Sequence, residues 1–158
     1  MCPEITPIPV PMFVAAAGGP DDEAPDRDQS ALSPIGAQPR VLIVEDEGLV
    51  AINMESALAE AGFHVVAVVD TENDAVLAAQ RLKPDVILMD ITLREGNGIS
   101  AAKTIQAASQ VCVIFVSGNS DPNTLIAIGQ MPASGFIRKP FLTERFAGLV
   151  RGAMTKKN

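Results

Sequence analysis

The sequence predicts an α/β fold, a doubly wound five-stranded parallel sheet. Three observations predict it. Short runs dense in Val, Ile and Leu recur along the chain, the pattern of strands covered on both faces. Segments with helical spacing separate those runs. The two types alternate, so each strand needs a crossover, and right-handed crossovers place helices on both sides of the sheet.

The first strand is VLIV, residues 41–44, after Arg40. A helix over 47–61 follows, with Leu49, Ile52 and Leu58 as its apolar side and Ala51 and Ala57 nearby, and Gly62 can end it. HVVAVVD (64–70) is the second strand. Thr71 and Asp74 have the spacing of a helix cap, so a second helix is expected over 72–82, stopped by Pro84. The third strand is the apolar run of DVILMD, residues 85–90. Gly98 to Ala108 is the third helix, with Ile99, Ala102 and Ile105 on one face. VCVIFVS (111–117) is the fourth strand. Asp121 and Pro122 suit a helix start as cap and first turn, and Pro132 in GQMPASG marks that fourth helix as short or irregular. GFIRK (135–139) is the fifth strand, and Thr143 can cap a last helix with Phe146, Leu149, Val150, Ala153 and Met154 on its apolar side.

Residues 1–39 differ in character. They hold eight of the twelve prolines and the acids Asp21, Asp22, Glu23, Asp26 and Asp28. Such a composition buries too little apolar surface to offset the entropy of ordering, so a disordered or loosely attached extension is expected. The expected folded domain spans 40–155, with a short basic tail over 156–158.

The chain of 158 residues suits one domain of modest core. Its net charge of −7 disfavours a nucleic-acid partner bound through a basic surface. Cys2 and Cys112 are too few for a disulfide scaffold, and Cys112 sits in an apolar run where a buried thiol is expected. No apolar run approaches the roughly 18 residues of a membrane-spanning helix. The N-terminal patch PMFVAAAGG lacks the basic start of a signal peptide, so the cytoplasm is the expected location.

In doubly wound sheets, ligands sit at the carboxyl ends of the strands. Here those ends carry Glu45 and Asp46, Asp90, Ser117, and Lys139 followed by Pro140. Carboxylates brought together repel unless a cation offsets them, and oxygen ligands in this number suit Mg2+ or Mn2+. A lysine and a hydroxyl nearby can bind phosphoryl oxygens. This is equipment for phosphoryl transfer, where positioning and charge neutralisation supply most of the catalysis.

The ordered set VLIVEDE, VILMDITL, VSG and KPF resembles the receiver domain of bacterial two-component response regulators, over about residues 40–155. Asp90 follows Asp46 by 44 positions, Lys139 follows Ser117 by 22, and Gly98 follows Asp90 by eight, all as in that family. The resemblance implies the flavodoxin-like receiver fold. It implies that Asp90 is the phosphoacceptor, taking its phosphoryl group from a sensor histidine kinase or phosphotransfer protein. Asp46, Asp90 and the Thr92 backbone carbonyl would hold Mg2+, with Glu45 acting through a water. Lys139 would pair with the phosphoryl group, with Pro140 after it in a cis peptide. Ser117 and Phe136 would be the switch pair, and Thr92 and Asn119 would tune the lifetime of the acyl phosphate. Arg94 stands where many members have proline, and Phe136 lacks the hydroxyl of the commoner tyrosine.

Plainer readings apply elsewhere. His64, the only histidine, has no ligand-spaced companion and reads as ordinary, and Met12, Met54, Met89, Met131 and Met154 read as packing or surface. The expected function is a single-domain response regulator that signals by protein contact or serves as a phosphorelay intermediate or sink. It is not expected to be an enzyme beyond its own phosphorylation and slow autodephosphorylation. A homodimer and the downstream target are left open. Two rivals are an aspartate-based Mg2+-dependent phosphohydrolase, which usually carries an acid where Thr92 stands, and a receiver-like module that is never phosphorylated.

Overall fold

The computed structural model describes residues 37–118 and 121–155. Ten elements alternate: β1 (Arg40–Val44), α1 (Gly48–Glu60), β2 (His64–Val69), α2 (Glu72–Leu82), β3 (Val86–Met89), α3 (Gly98–Ala108), β4 (Cys112–Ser117), α4 (Pro122–Gly129), β5 (Ser134–Arg138) and α5 (Thr143–Thr155). The sheet is parallel throughout, in the order β2-β1-β3-β4-β5. This is the doubly wound arrangement the apolar runs predict. The expected extension over 1–39 and the tail over 156–158 lie almost wholly outside the described residues, as do Met12 and Asn119.

The pleat divides the core in two. Leu42, Val44, Ile87, Met89, Val113 and Phe115 face α2 and α3, whose Ala75, Ala78, Ala101, Ala102 and Ile105 cover them. Their neighbours Val41, Ile43, Val86, Leu88, Ile114 and Val116 face α1 and α5, covered by Met54, Leu58, Phe146 and Val150. Successive strand residues point to opposite faces, so both faces can be covered only if every position is apolar. That accounts for VLIV, VILM and CVIFV.

Helix ends follow local chemistry. The Thr71 side chain accepts from the Asp74 N–H, as its spacing predicts, and Asp121 accepts from the Thr124 N–H with Pro122 behind it. Gly62 follows α1 with φ +92, a backbone conformation that glycine adopts without strain. Pro132 stands beyond α4, which has only 8 residues.

Some expectations need correction. The α1 face is only partly as expected: Leu58, Ala51 and Ala57 are buried, joined by Met54, whereas Leu49 is 79% exposed and Ile52 58%. Apolar residues occupy both sides of this helix, so spacing alone does not select the buried one. Leu149 of α5 is also exposed, and Phe146 and Val150 carry that contact. β5 is shifted by one residue, so Lys139 stands just past the strand rather than in it. Thr143 is the first residue of α5 rather than a cap before it.

Candidate functional site

Strand register builds the site. Val44 pairs with Met89 across β1 and β3, so the residues that follow, Glu45 and Asp90, emerge at one level. The Asp90 N–H donates to the Val44 carbonyl at 2.9 Å, and the Glu45 N–H to the Val69 carbonyl at 2.9 Å, which fixes both Cα positions. Ser117 ends β4 opposite Arg138, and the Lys139 N–H donates to the Ser117 carbonyl at 3.0 Å. The backbone ladder therefore sets the spacing of the polar ends. The Lys139–Pro140 peptide is cis.

The side chains converge. Glu45 is 3% exposed, Asp90 6% and Ser117 2%, all buried although polar. Lys139 Nζ lies 2.9 Å from Glu45 Oε1 and 3.1 Å from Asp90 Oδ2. One oxygen from each of Glu45, Asp46 and Asp90 can be chosen so that all lie within 4.8 Å of one another. Asp46 is the least buried of the three. Thr92, on the exposed loop after Asp90, donates its N–H to Asp90 Oδ1 at 3.2 Å. Phe136 is half-buried on β5 and packs on the core side that holds Phe115.

The electrostatics follow from burial. Desolvation pushes the Glu45 carboxyl up to about 7; Lys139 opposes the rise, and the neighbouring Asp90 adds to it. For Lys139, burial works against the charged form, but the combined pull of Glu45 and Asp90 outweighs it and holds the ammonium above the usual lysine range. Glu45 Oε1 makes no aligned hydrogen bond despite its contact with Lys139, whereas Oε2 accepts from the Glu47 N–H at 3.2 Å. A buried carboxylate oxygen without a directed donor, beside two further carboxylates, fits a hard divalent cation or its water.

Two contributors escaped sequence reasoning. The Glu47 carboxylate lies 3.5 Å from Lys139 Nζ, a third acid around the same ammonium. Its place directly after Asp46 was the available signal. At the opposite ends of the strands, Arg40 donates to the Leu82 and Lys83 carbonyls at 2.6 and 2.9 Å, closing the end of α2 onto β1. Nothing local marks that pairing. No helix of the described residues is long and apolar enough to cross a membrane.

Comparison with known proteins agrees with this geometry. Residues 41–151 match the model of the response regulator receiver domain. The chain is 36% identical over 107 residues to the chemotaxis protein CheY of Bacillus subtilis, covering 67% of this chain and 89% of that one. It is 27% identical over 119 residues to the DNA-binding response regulator MtrA of Mycobacterium tuberculosis, spanning 75% of this chain but only 52% of that relative. Among solved structures, the signal receiver domain of a modulated diguanylate cyclase from Desulfovibrio desulfuricans superposes with a TM-score of 0.68 at 30% identity, covering 76% of this chain and 96% of that one. The response regulator domain of Thermotoga maritima CheB gives 0.61 at 29% identity, over 76% and 93%. The strand order, the acidic cluster and these likenesses agree: the chain belongs to the response regulator receiver domain family.

Proposed function

We propose that this receiver is phosphorylated on Asp90 by a histidine kinase or phosphotransfer protein in a Mg2+-dependent reaction. The observation that carries the reading is the buried Asp90 carboxylate with the Lys139 ammonium 3.1 Å away and two further acids beside it. An Asp90 oxygen attacks the phosphorus of a phosphohistidine. The O–P bond forms as the P–N bond breaks, and the imidazole leaves with the bonding pair and takes a proton from solvent. Asp46, Asp90 and the Thr92 carbonyl are suited to hold Mg2+, with Glu45 acting through water. When bound, the cation neutralises charge on the transferring oxygens. Lys139 supplies a second compact cation to the same oxygens.

The phosphoryl group then gives Ser117 a new acceptor. Ser117 and Phe136 form the switch pair, and Thr92 and Asn119 tune how long the acyl phosphate survives. The output is a shift between two surface states read by a partner protein in the cytoplasm. The test is intact mass after incubation with Mg2+ and acetyl phosphate. A gain of one phosphoryl group that vanishes in Asp90→Ala supports the reading. No gain with acetyl phosphate or with any cognate kinase overturns it.

A further inference from the structure

Glu72, the first residue of α2, takes no part in the strand-end cluster, yet its side chain is committed. Oε1 accepts from the Asn97 backbone N–H at 2.9 Å, and Oε2 accepts from the Ser100 hydroxyl at 2.6 Å. These two donors hold its carboxyl below the usual glutamate range. The Glu72 N–H donates to the Glu95 carbonyl at 2.9 Å, and Thr71 pairs with Glu95 in a one-residue parallel bridge. Gly96 has φ +90, and a Cβ there would stand 2.3 Å from the Glu72 Cβ. The loop between β3 and α3 is therefore laid directly against Glu72.

That loop leads back to Asp90. Asn97 forms an antiparallel bridge with Thr92, and the Thr92 N–H donates to Asp90 Oδ1 at 3.2 Å. Arg94 replaces the proline that would stiffen this loop. Its pairing with Asp70 at 2.9 Å joins two well-exposed side chains, a kind of contact that restrains little. Glu72 holds the loop by more than one contact: its carboxylate accepts from two loop donors, and its N–H donates to the Glu95 carbonyl.

We propose that Glu72 is a positioning residue for the Asp90 site: by holding Asn97 and Ser100 it fixes the loop that presents Thr92, and with it the backbone carbonyl offered to the divalent cation. This rests on the reading of Asp90, Asp46 and Thr92 given above. Glutamine preserves the contacts, because its single oxygen can accept from Asn97 while its amide donates to Ser100 Oγ. Alanine removes both. Asp74, an acid in the same first turn of α2, is the control for a general effect on the helix.

The test compares Glu72→Ala, Glu72→Gln and Asp74→Ala in the full chain. Mg2+ is titrated with amide chemical shifts as the readout, and amide hydrogen exchange is followed in the metal-free protein. Glu72→Ala is expected to weaken Mg2+ binding about 5- to 10-fold and to speed exchange at Thr92 and Gly98 at least 5-fold, with Val41–Val44 unchanged. Glu72→Gln and Asp74→Ala should stay within about twofold of the parent protein. Unchanged Mg2+ binding or unchanged exchange at Thr92 in Glu72→Ala overturns the proposal, as does an equal effect in Asp74→Ala. If the parent protein binds Mg2+ but Asp90 gains no phosphoryl group, the phosphoacceptor reading fails. The exchange and Mg2+ measurements still decide the role of Glu72.

Discussion

The Lys139 ammonium lies 3.1 Å from Asp90 Oδ2, a partly buried cation against a buried carboxylate. The same nitrogen serves Glu45 at 2.9 Å and Glu47 at 3.5 Å, so one cation offsets several acids. Lys139→Met removes it and leaves buried carboxylates without compensation. In metal-free protein at pH 8 the cost is expected to be about 3 kcal/mol, read as a lowered urea midpoint. Added Mg2+ should recover part of that loss, because it binds the folded state. Labelling of Asp90 by acetyl phosphate should slow at least about tenfold, since a phosphoryl oxygen has lost its cation.

Glu45 provides a pH test. Its carboxyl is raised from 4.5 to about 7 in the fold, so the folded state holds a proton that the unfolded chain has released. Stability from this group is complete below about pH 4.5 and is lost as pH rises through about 7. Glu45→Gln carries no titrating proton and lacks this slope. In metal-free protein the stability of Glu45→Gln relative to the parent should rise between pH 5 and pH 8, by on the order of 3 kcal/mol. Denaturant unfolding at both pH values, with a chelator present, checks it. An equal difference at the two values counts against a raised Glu45. With Mg2+ present the advantage should shrink, because the cation favours the ionised carboxylate.

The sequence carried the elements and the strand ends because both are local. VLIV, VILM and CVIFV are apolar at every position, so each is a strand covered on both faces, and whatever follows must lie at the carboxyl end of the sheet. Glu45, Asp90 and Ser117 were legible for that reason, and Lys139 by its spacing from Ser117. Pairings across long separations were not. Glu72 with Asn97, Arg40 with the end of α2, and Glu47 with Lys139 each depend on a fold that must exist before the contact can. Leu49 and Ile52 were misplaced on α1 for a different reason, since they match the helical period as well as Ala51 and Met54 do.

That failure is itself testable. Met54 is 1% exposed and fills the face between α1 and the sheet, whereas Leu49 is 79% exposed. Met54→Ala should cost about 2–4 kcal/mol through lost burial and the cavity left behind. Leu49→Ala should change stability by less than about 0.5 kcal/mol. Paired urea denaturation curves check both, and a reversed ranking would restore Leu49 to the buried side.

Gly98 shows how closely backbone and site are joined. A Cβ at this position would fall 2.0 Å from the Asp90 carbonyl oxygen and 2.9 Å from the Ile91 Cα, both backbone atoms. Neither can rotate away as a side chain would, so the loop or the end of β3 must shift. The Gly98 N–H also donates to the Ile91 carbonyl at 2.8 Å, a bond that any such shift strains. Gly98→Ala is therefore expected to destabilise by about 3 kcal/mol. It should also slow Asp90 labelling, because the displaced backbone is that of Asp90 itself. Gly148→Ala is the control: it lies within α5, nothing stands within 4 Å of its added carbon, and helix propensity favours the change by up to about 1 kcal/mol. Chemical unfolding and intact-mass labelling of the two variants separate the cases. If Gly98→Ala unfolds like the parent and labels at the parental rate, then the close approach of α3 to Asp90 does not constrain the site.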